Sequence, residues 1–304
     1  MTTIDRPSGF TSDRGRARFL AAYDRAFTAL WPVPVSAEDV PTSLGVVRAY
    51  RAGPSGPDPV VLLSGAGGNA LGWYRHVAAL SAHRPVLAVD PLGEPGRSVP
   101  SQALADGVTA ARWLDEVLAA VGAERAHLVG SSYGGWIALE HERHLSGRVS
   151  AVTLVDPAGL ADLSGRFYRW VILGGLSVLL PRPLRHRAAR ALVNGTLTED
   201  ELMRLGLAAR SFRRRLPAPP VWTDPDLAAI TTPVQLLLGA RSALHDSTAV
   251  ARRIATVAPS WRTEVVPATG HALPLEAPGL VVARVLAFHP TRAGDDLPDE
   301  LTCS

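Results

Sequence analysis

An α/β fold with a mostly parallel, doubly wound sheet and an inserted helical lid is predicted from three features of the chain. Short apolar runs alternate with segments of helical periodicity, and strands alternating with helices build a parallel sheet covered on both faces. The alternation stops after Asp156 and resumes at Pro233, leaving helix and loop only from 160 to 226. One apolar run passes through Gly130-Ser131-Ser132-Tyr133-Gly134 into a helical pattern, as a serine on a sharp strand-to-helix turn would require.

The elements follow in order. Residues 1–12 are polar and expected to be loose. Phe19, Leu20, Tyr23, Phe27 and Leu30 recur at helical spacing, predicting a helix over 14–30 that Trp31-Pro-Val-Pro-Val35 ends. A strand at 44–50 and a turn at 53–59 lead to a short buried strand at 60–63 and the glycine-rich loop 64–70. A helix at 73–80, a buried strand at 85–90, a turn-rich loop to Pro100 and a helix at 104–121 come next. The strand entering Ser132, a helix at 136–144 and a strand at 149–155 complete the first half. After the helical block come a strand at 233–238, a helix at 248–257, a strand at 263–266 and a helix at 280–288. Residues 290–304 read as a frayed tail. The domain reading is a core of 14–159 and 227–289, with 160–226 inserted as the lid. In open α/β sheets ligands bind at the carboxyl ends of strands, where such an insertion would lie. Its apolar residues, among them Phe167, Trp170, Val171 and Leu176, suggest an apolar roof.

Composition narrows the class. The 304 residues are 47% hydrophobic and 19% charged, enough for a large core in one α/β unit. The formal charge is only +3, every Lys or Arg is Arg, and these are scattered apart from Arg213-Arg-Arg215. Nucleic acid is therefore not an expected partner. The single cysteine, Cys303, excludes an internal disulfide framework and fits a reducing compartment. No secretion signal is expected from the opening residues, and the longest apolar run, 170–180, is shorter than the roughly 18–20 residues of a membrane span. The expected setting is cytoplasmic, with a small-molecule substrate, no membrane insertion and an oligomeric state left open. No histidine pair has metal-ligand spacing with carboxylate or cysteine support, so neither metal nor cofactor is expected.

Chemistry gathers on loops at strand ends. Ser132 is a weak nucleophile that needs a base, and His271, after the last strand, is the candidate. Four motifs together resemble the α/β-hydrolase superfamily, in particular its carboxylesterase-like members with a helical lid. They are the turn at Ser132, the glycine-rich loop after 60–63, Asp90-Pro-Leu-Gly-Glu-Pro-Gly-Arg-Ser98, and Gly270-His-Ala-Leu-Pro-Leu-Glu-Ala-Pro278. The likeness spans about residues 14–289. It implies an α/β-hydrolase fold and the order nucleophile, acid, histidine, with Ser132 and His271 first and last. It also implies oxyanion donors on the backbone of Ala66 and Tyr133, although the loop that usually opens His-Gly here opens Ser64-Gly65. The family's acid stands three residues after the glycine ending the 233–238 strand, where this chain has Ser242. Losing the acid costs such a triad on the order of 10⁴ in rate. Three readings stay open, in this order: Asp156 at the end of the preceding strand supplies the acid, there is none, or Asp246 reaches back. Asp90, ahead of a turn-rich loop, is read as structural.

The expected activity is serine-dependent hydrolysis of a largely apolar ester or lactone. Serine 242 motivates an alternative on the same fold, a lyase eliminating an acyloxy group in natural-product tailoring. A remoter rival is an NAD(P)-dependent oxidoreductase. Gly65-x-Gly67-x-x-Ala70 follows a buried strand and Asp90 ends the next, which satisfies the dinucleotide fingerprint but leaves Ser132 and His271 without roles. A non-catalytic binding protein would leave the same groups unused.

Overall fold

A computed structural model describes residues 6–288. The expected tail at 290–304, with Cys303, lies outside the described residues, as do residues 1–5. The chain opens with β1 (Gly9–Phe10) and α1 (Asp13–Leu30), whose start is fixed by Ser12 accepting the amide of Gly15. An antiparallel pair follows, β2 (Ser36–Thr42) and β3 (Gly45–Ala52). Then come β4 (Val60–Leu63), α2 (Tyr74–Ser81), β5 (Val86–Val89) and the short β6 (Val99–Pro100). Helix α3 (Gly107–Ala120) begins in a reciprocal cap between Asp106 and Thr109. It leads to β7 (Ala126–Ser131), α4 (Tyr133–Leu145) and β8 (Val149–Val155).

Between β8 and the next strand of the sheet lie α5 (Gly165–Ser177), α6 (Arg182–Leu192), α7 (Asp200–Ala208), the two-residue β9 (Phe212–Arg213) and α8 (Asp224–Ala228). The sheet resumes with β10 (Val234–Gly239), α9 (Ser247–Val257) and β11 (Arg262–Val266). The short α10 (Leu273–Glu276) and α11 (Pro278–Ala287) follow.

Strand order across the sheet is β11-β10-β8-β7-β4-β5-β3-β2, with β6 against β3. All pairs from β5 to β11 are parallel, and β3 turns antiparallel to β5. The central strands are buried on both faces, which is why they read as largely apolar runs. Their side chains alternate between two cores. Val61 and Leu63 point with Trp113 and Trp136 to the α3–α4 side, while Val60 and Leu62 point with Phe19 and Trp73 to the α1–α2 side. Register sets the level of the site, since Leu63 pairs with Gly130, Ser131 with Val155, and Val155 with Leu237. The loops after β4, β7, β8 and β10 therefore leave the sheet side by side.

Four strands escaped the sequence reading, β1, β2, β6 and β9. β2 is polar, with Val40 its only buried residue, and it exists through its pairing along β3 at the sheet edge. The segment expected to be loose at the N-terminus contributes β1, which pairs antiparallel with β9 about two hundred residues away. Helix and loop therefore do not account for the whole of 160–226. Local composition carries no trace of a two-residue pairing at that separation.

Candidate active site

Ser132 sits between the end of β7 and the start of α4 with φ at 51°, a left-handed backbone that is strained for a serine. The neighbouring glycines make this turn possible. A Cβ on Gly130 would overlap the carbonyl of Gly134, one on Gly134 would overlap the carbonyl of Leu63, and one on Gly135 would come within 2.7 Å of Pro157 Cβ. The turn is stitched to the next strand. Ser132 N donates to the Val155 carbonyl at 3.2 Å, and the Ser132 carbonyl accepts Ala158 N at 3.0 Å.

Side chains from three loops then form a line. The Ser132 hydroxyl lies 3.1 Å from His271 Nε2, and His271 Nδ1 lies 2.7 Å from Asp156 Oδ2. A carboxylate only accepts, so Nδ1 carries the ring proton and Nε2 is free to accept from the serine. Asp156 is 0% exposed and has φ at 48°. Burial pushes its carboxyl up, but the hydrogen bond and charge of His271, with His245 and Ser242, outweigh burial and hold it below its usual range. Of the three readings for the acid, the geometry favours Asp156. Asp246 is instead the N-cap of α9, accepting the amides of Thr248 and Ala249.

The serine at the usual acid position is not idle. Ser242 Oγ donates to Asp156 Oδ2 at 2.6 Å, while Gly239 N donates to Oδ1 at 3.0 Å. A second imidazole faces the same carboxylate. His245 Nε2 is 3.6 Å from Asp156 Oδ1, and its side chain is 1% exposed. Burial pushes this imidazole down, against the pull of Asp156. Arg166 of α5 donates to the carbonyls of Ser242 and His245, tying the first helix of the insertion to the loop after β10. The sequence reading missed Ser242 and His245 as partners, because only folding brings the β10 loop to β8.

His271 is held from below and above. Glu276, the glutamate of the Pro-Leu-Glu-Ala-Pro segment, accepts Gly270 N at 2.6 Å and Gly195 N at 3.2 Å, which gives that motif its physical reason. Phe167 and Trp170 of α5 set their rings edge-on to the imidazole, with centroids at 5.7 and 5.6 Å.

The loop after β4 packs on the serine so closely that a Cβ on Gly65 would lie 3.0 Å from Ser132 Cβ. Its support comes from within, despite the Ser64-Gly65 opening. Ser64 Oγ donates to the Asn69 carbonyl at 2.6 Å, and Gly67 N donates to the buried Glu94 at 2.9 Å. Arg214 from the insertion completes the brace, donating to Glu94 and lying 4.5 Å over the Tyr133 ring. Ala66 lines the cavity beside Ser132, and Tyr133 is the first residue of α4, whose amide has no partner within its helix. Asp90 is turned inward. It accepts Tyr23 Oη, Ala70 N and Arg97 N at 2.7–3.0 Å and is 0% exposed, so the acid of the dinucleotide fingerprint cannot reach a ribose.

A cavity of about 650 Å³ opens over Ser132 and His271, walled by Phe167, Trp170, Leu202, Met203, Leu205 and Leu275 among others. Among the described residues, no three His, Cys, Asp or Glu side chains converge as metal ligands would.

Known proteins share this arrangement of elements. The carboxylesterase YbfK of Bacillus subtilis is 29% identical over 296 residues, covering 92% of this chain and 96% of that protein. Its crystal structure superposes with a TM-score of 0.80 over 90% of this chain and 98% of that one, at 28% identity. The crystal structure of the naproxen esterase of Bacillus subtilis gives a TM-score of 0.78 at 25% identity, over 91% and 99% of the two chains. Residues 60–285 match the model of the alpha/beta hydrolase family, three quarters of the sequence, and the chain belongs to that family.

Proposed function

We propose that the chain is a carboxylic ester hydrolase working through Ser132 as nucleophile, His271 as base and Asp156 as acid. The observation that carries the reading is the line from Ser132 Oγ through His271 to Asp156 at 3.1 and 2.7 Å, at the floor of an apolar cavity. Ser132 Oγ attacks the ester carbonyl carbon as its proton passes to His271 Nε2. Asp156, held anionic, stabilises the imidazolium. The developing oxyanion turns toward the amides of Ala66 and Tyr133. Collapse breaks the acyl–oxygen bond, and the alcohol leaves with the proton from His271. Water, deprotonated by His271, then releases the carboxylic acid and restores the serine.

The elimination reading rests on a histidine without its acid, and the 2.7 Å contact of His271 with Asp156 speaks for hydrolysis instead. In this reading 160–226 acts as a lid on the core of 14–159 and 227–289, and the apolar walls select small apolar esters. A fluorophosphonate tests it. Wild type is expected to gain one adduct by intact mass and Ser132→Ala none, with ester turnover in that variant reduced on the order of 10⁶. Labelling that survives Ser132→Ala would sink the assignment.

A further inference from the structure

Helix α5 carries an apolar face that the rest of the molecule leaves bare. Tyr168, Ile172 and Leu176 recur at helical spacing and continue into Leu179, on the side opposite the buried Gly174 and Ser177. Ile172 is 60% exposed and Leu179 72%. A bare apolar face of this kind marks a surface that something covers.

Charge indicates what covers it. Residues 163–192, which span α5 and α6, hold six arginines and no acidic residue. Arg166 is engaged with the loop after β10, and Arg182 and Arg185 pair with Asp200. Arg169, Arg187 and Arg190 form no ion pair among the described residues. A second copy packed about a two-fold axis would set this basic face against itself. An apolar stripe beside unpaired arginines matches a helix lying in the plane of an anionic lipid surface.

We propose that α5 and α6 dock the protein on anionic lipid surfaces, with Ile172, Leu176 and Leu179 entering the acyl boundary and Arg169, Arg187 and Arg190 meeting headgroup phosphates. Among the described residues no helix is long and apolar enough to cross a membrane, so the contact is peripheral. The opposite side of the same helix, through Phe167, Trp170 and Gly174, lines the cavity over Ser132. Docking would bring the cavity wall against the lipid. The inference goes beyond the hydrolase reading and survives its failure, because vesicle binding needs no turnover.

Co-sedimentation with vesicles of equimolar phosphatidylglycerol and phosphatidylcholine, against pure phosphatidylcholine, tests it on the full chain. Wild type should bind the anionic vesicles and be released by salt. The triple variant Arg169→Gln, Arg187→Gln, Arg190→Gln should bind them roughly a hundredfold more weakly. The variant Ile172→Ser, Leu176→Ser, Leu179→Ser, altered only at exposed positions, should lose binding by at least about tenfold. Failure of wild type to bind anionic vesicles at low salt would overturn the proposal. So would equal binding to both vesicles that ignores the arginine substitutions. Light scattering that shows a dimer abolished by the serine substitutions would assign the face to a second copy instead.

Discussion

Asp90 and Asp156 hold matching places, each just beyond the carboxyl end of a parallel strand, β5 and β8, and each is 0% exposed. Each accepts three hydrogen bonds. Yet their acidities move in opposite directions. Burial pushes the Asp90 carboxyl up, and its donors, two amides and a tyrosine hydroxyl, only soften that. Burial pushes Asp156 up too, but the imidazole of His271 reverses the sign. Hydrogen-bond number is therefore the wrong guide to a buried carboxylate. What decides is whether a donor can share positive charge. Asp90 braces the junction of α1, the loop before α2 and the turn at Arg97, while Asp156 is held ready to face an imidazolium.

The same substitution should separate the two. Asp156→Asn keeps the shape and removes the charge, and should lower kcat/KM on the order of 10⁴ in steady-state ester hydrolysis. A loss below tenfold would mean that the imidazolium does not depend on the Asp156 charge. Asp90→Asn should leave kcat/KM within about tenfold but destabilise the fold by about 1–3 kcal/mol in urea unfolding, because its amide nitrogen would face the Arg97 amide, donor against donor. Unchanged stability would place Asp90 outside the fold's support.

Ser242→Ala sharpens the comparison from the other side. It removes a neutral donor at 2.6 Å and leaves His271 in place, so kcat/KM should fall by only about tenfold. The smallest effect lies in the pH dependence of stability. Asp156, depressed in the fold, favours the folded state above its ordinary value of 3.8, and that contribution is lost as pH falls below it. Asp90, raised in the fold, keeps a proton that the unfolded chain releases above 3.8, so its contribution declines as pH rises through that region. Urea midpoints against pH should lose the acid-side decline in Asp156→Asn and the opposite slope in Asp90→Asn. Equal slopes in both variants would refute the contrast.

Much of this was legible from the amino acids alone. The strand–helix alternation located nearly every element of the sheet, and Gly130 and Gly134 announced the turn because their missing side chains are a local steric demand. His271 was readable from its loop and the proline-bounded segment after it. Asp156 could only be ranked. Its claim rests on β8 and β10 being neighbours, whereas the capping role of Asp246 is local, an aspartate directly before a serine–threonine helix start. Ser242, His245, Arg166, Glu94 and Arg214 were missed for one physical reason. Each acts on a group remote in sequence, and only the folded sheet brings them into range.

The stitching of Ser132 to β8 has a consequence for the order in which the site comes into being. Ser132 N bonds to Val155 and the Ser132 carbonyl to Ala158, so Ser132 and Asp156 are spaced by two adjacent strands made before β10. The acid's amide bonds to Leu237, its carboxylate to Gly239 and Ser242, and the imidazole arrives on a loop made later still. Domains generally fold as units behind synthesis. On the proposed reading, a nascent chain that stops before β10 carries the serine without its base and stays silent toward esters until His271 is made.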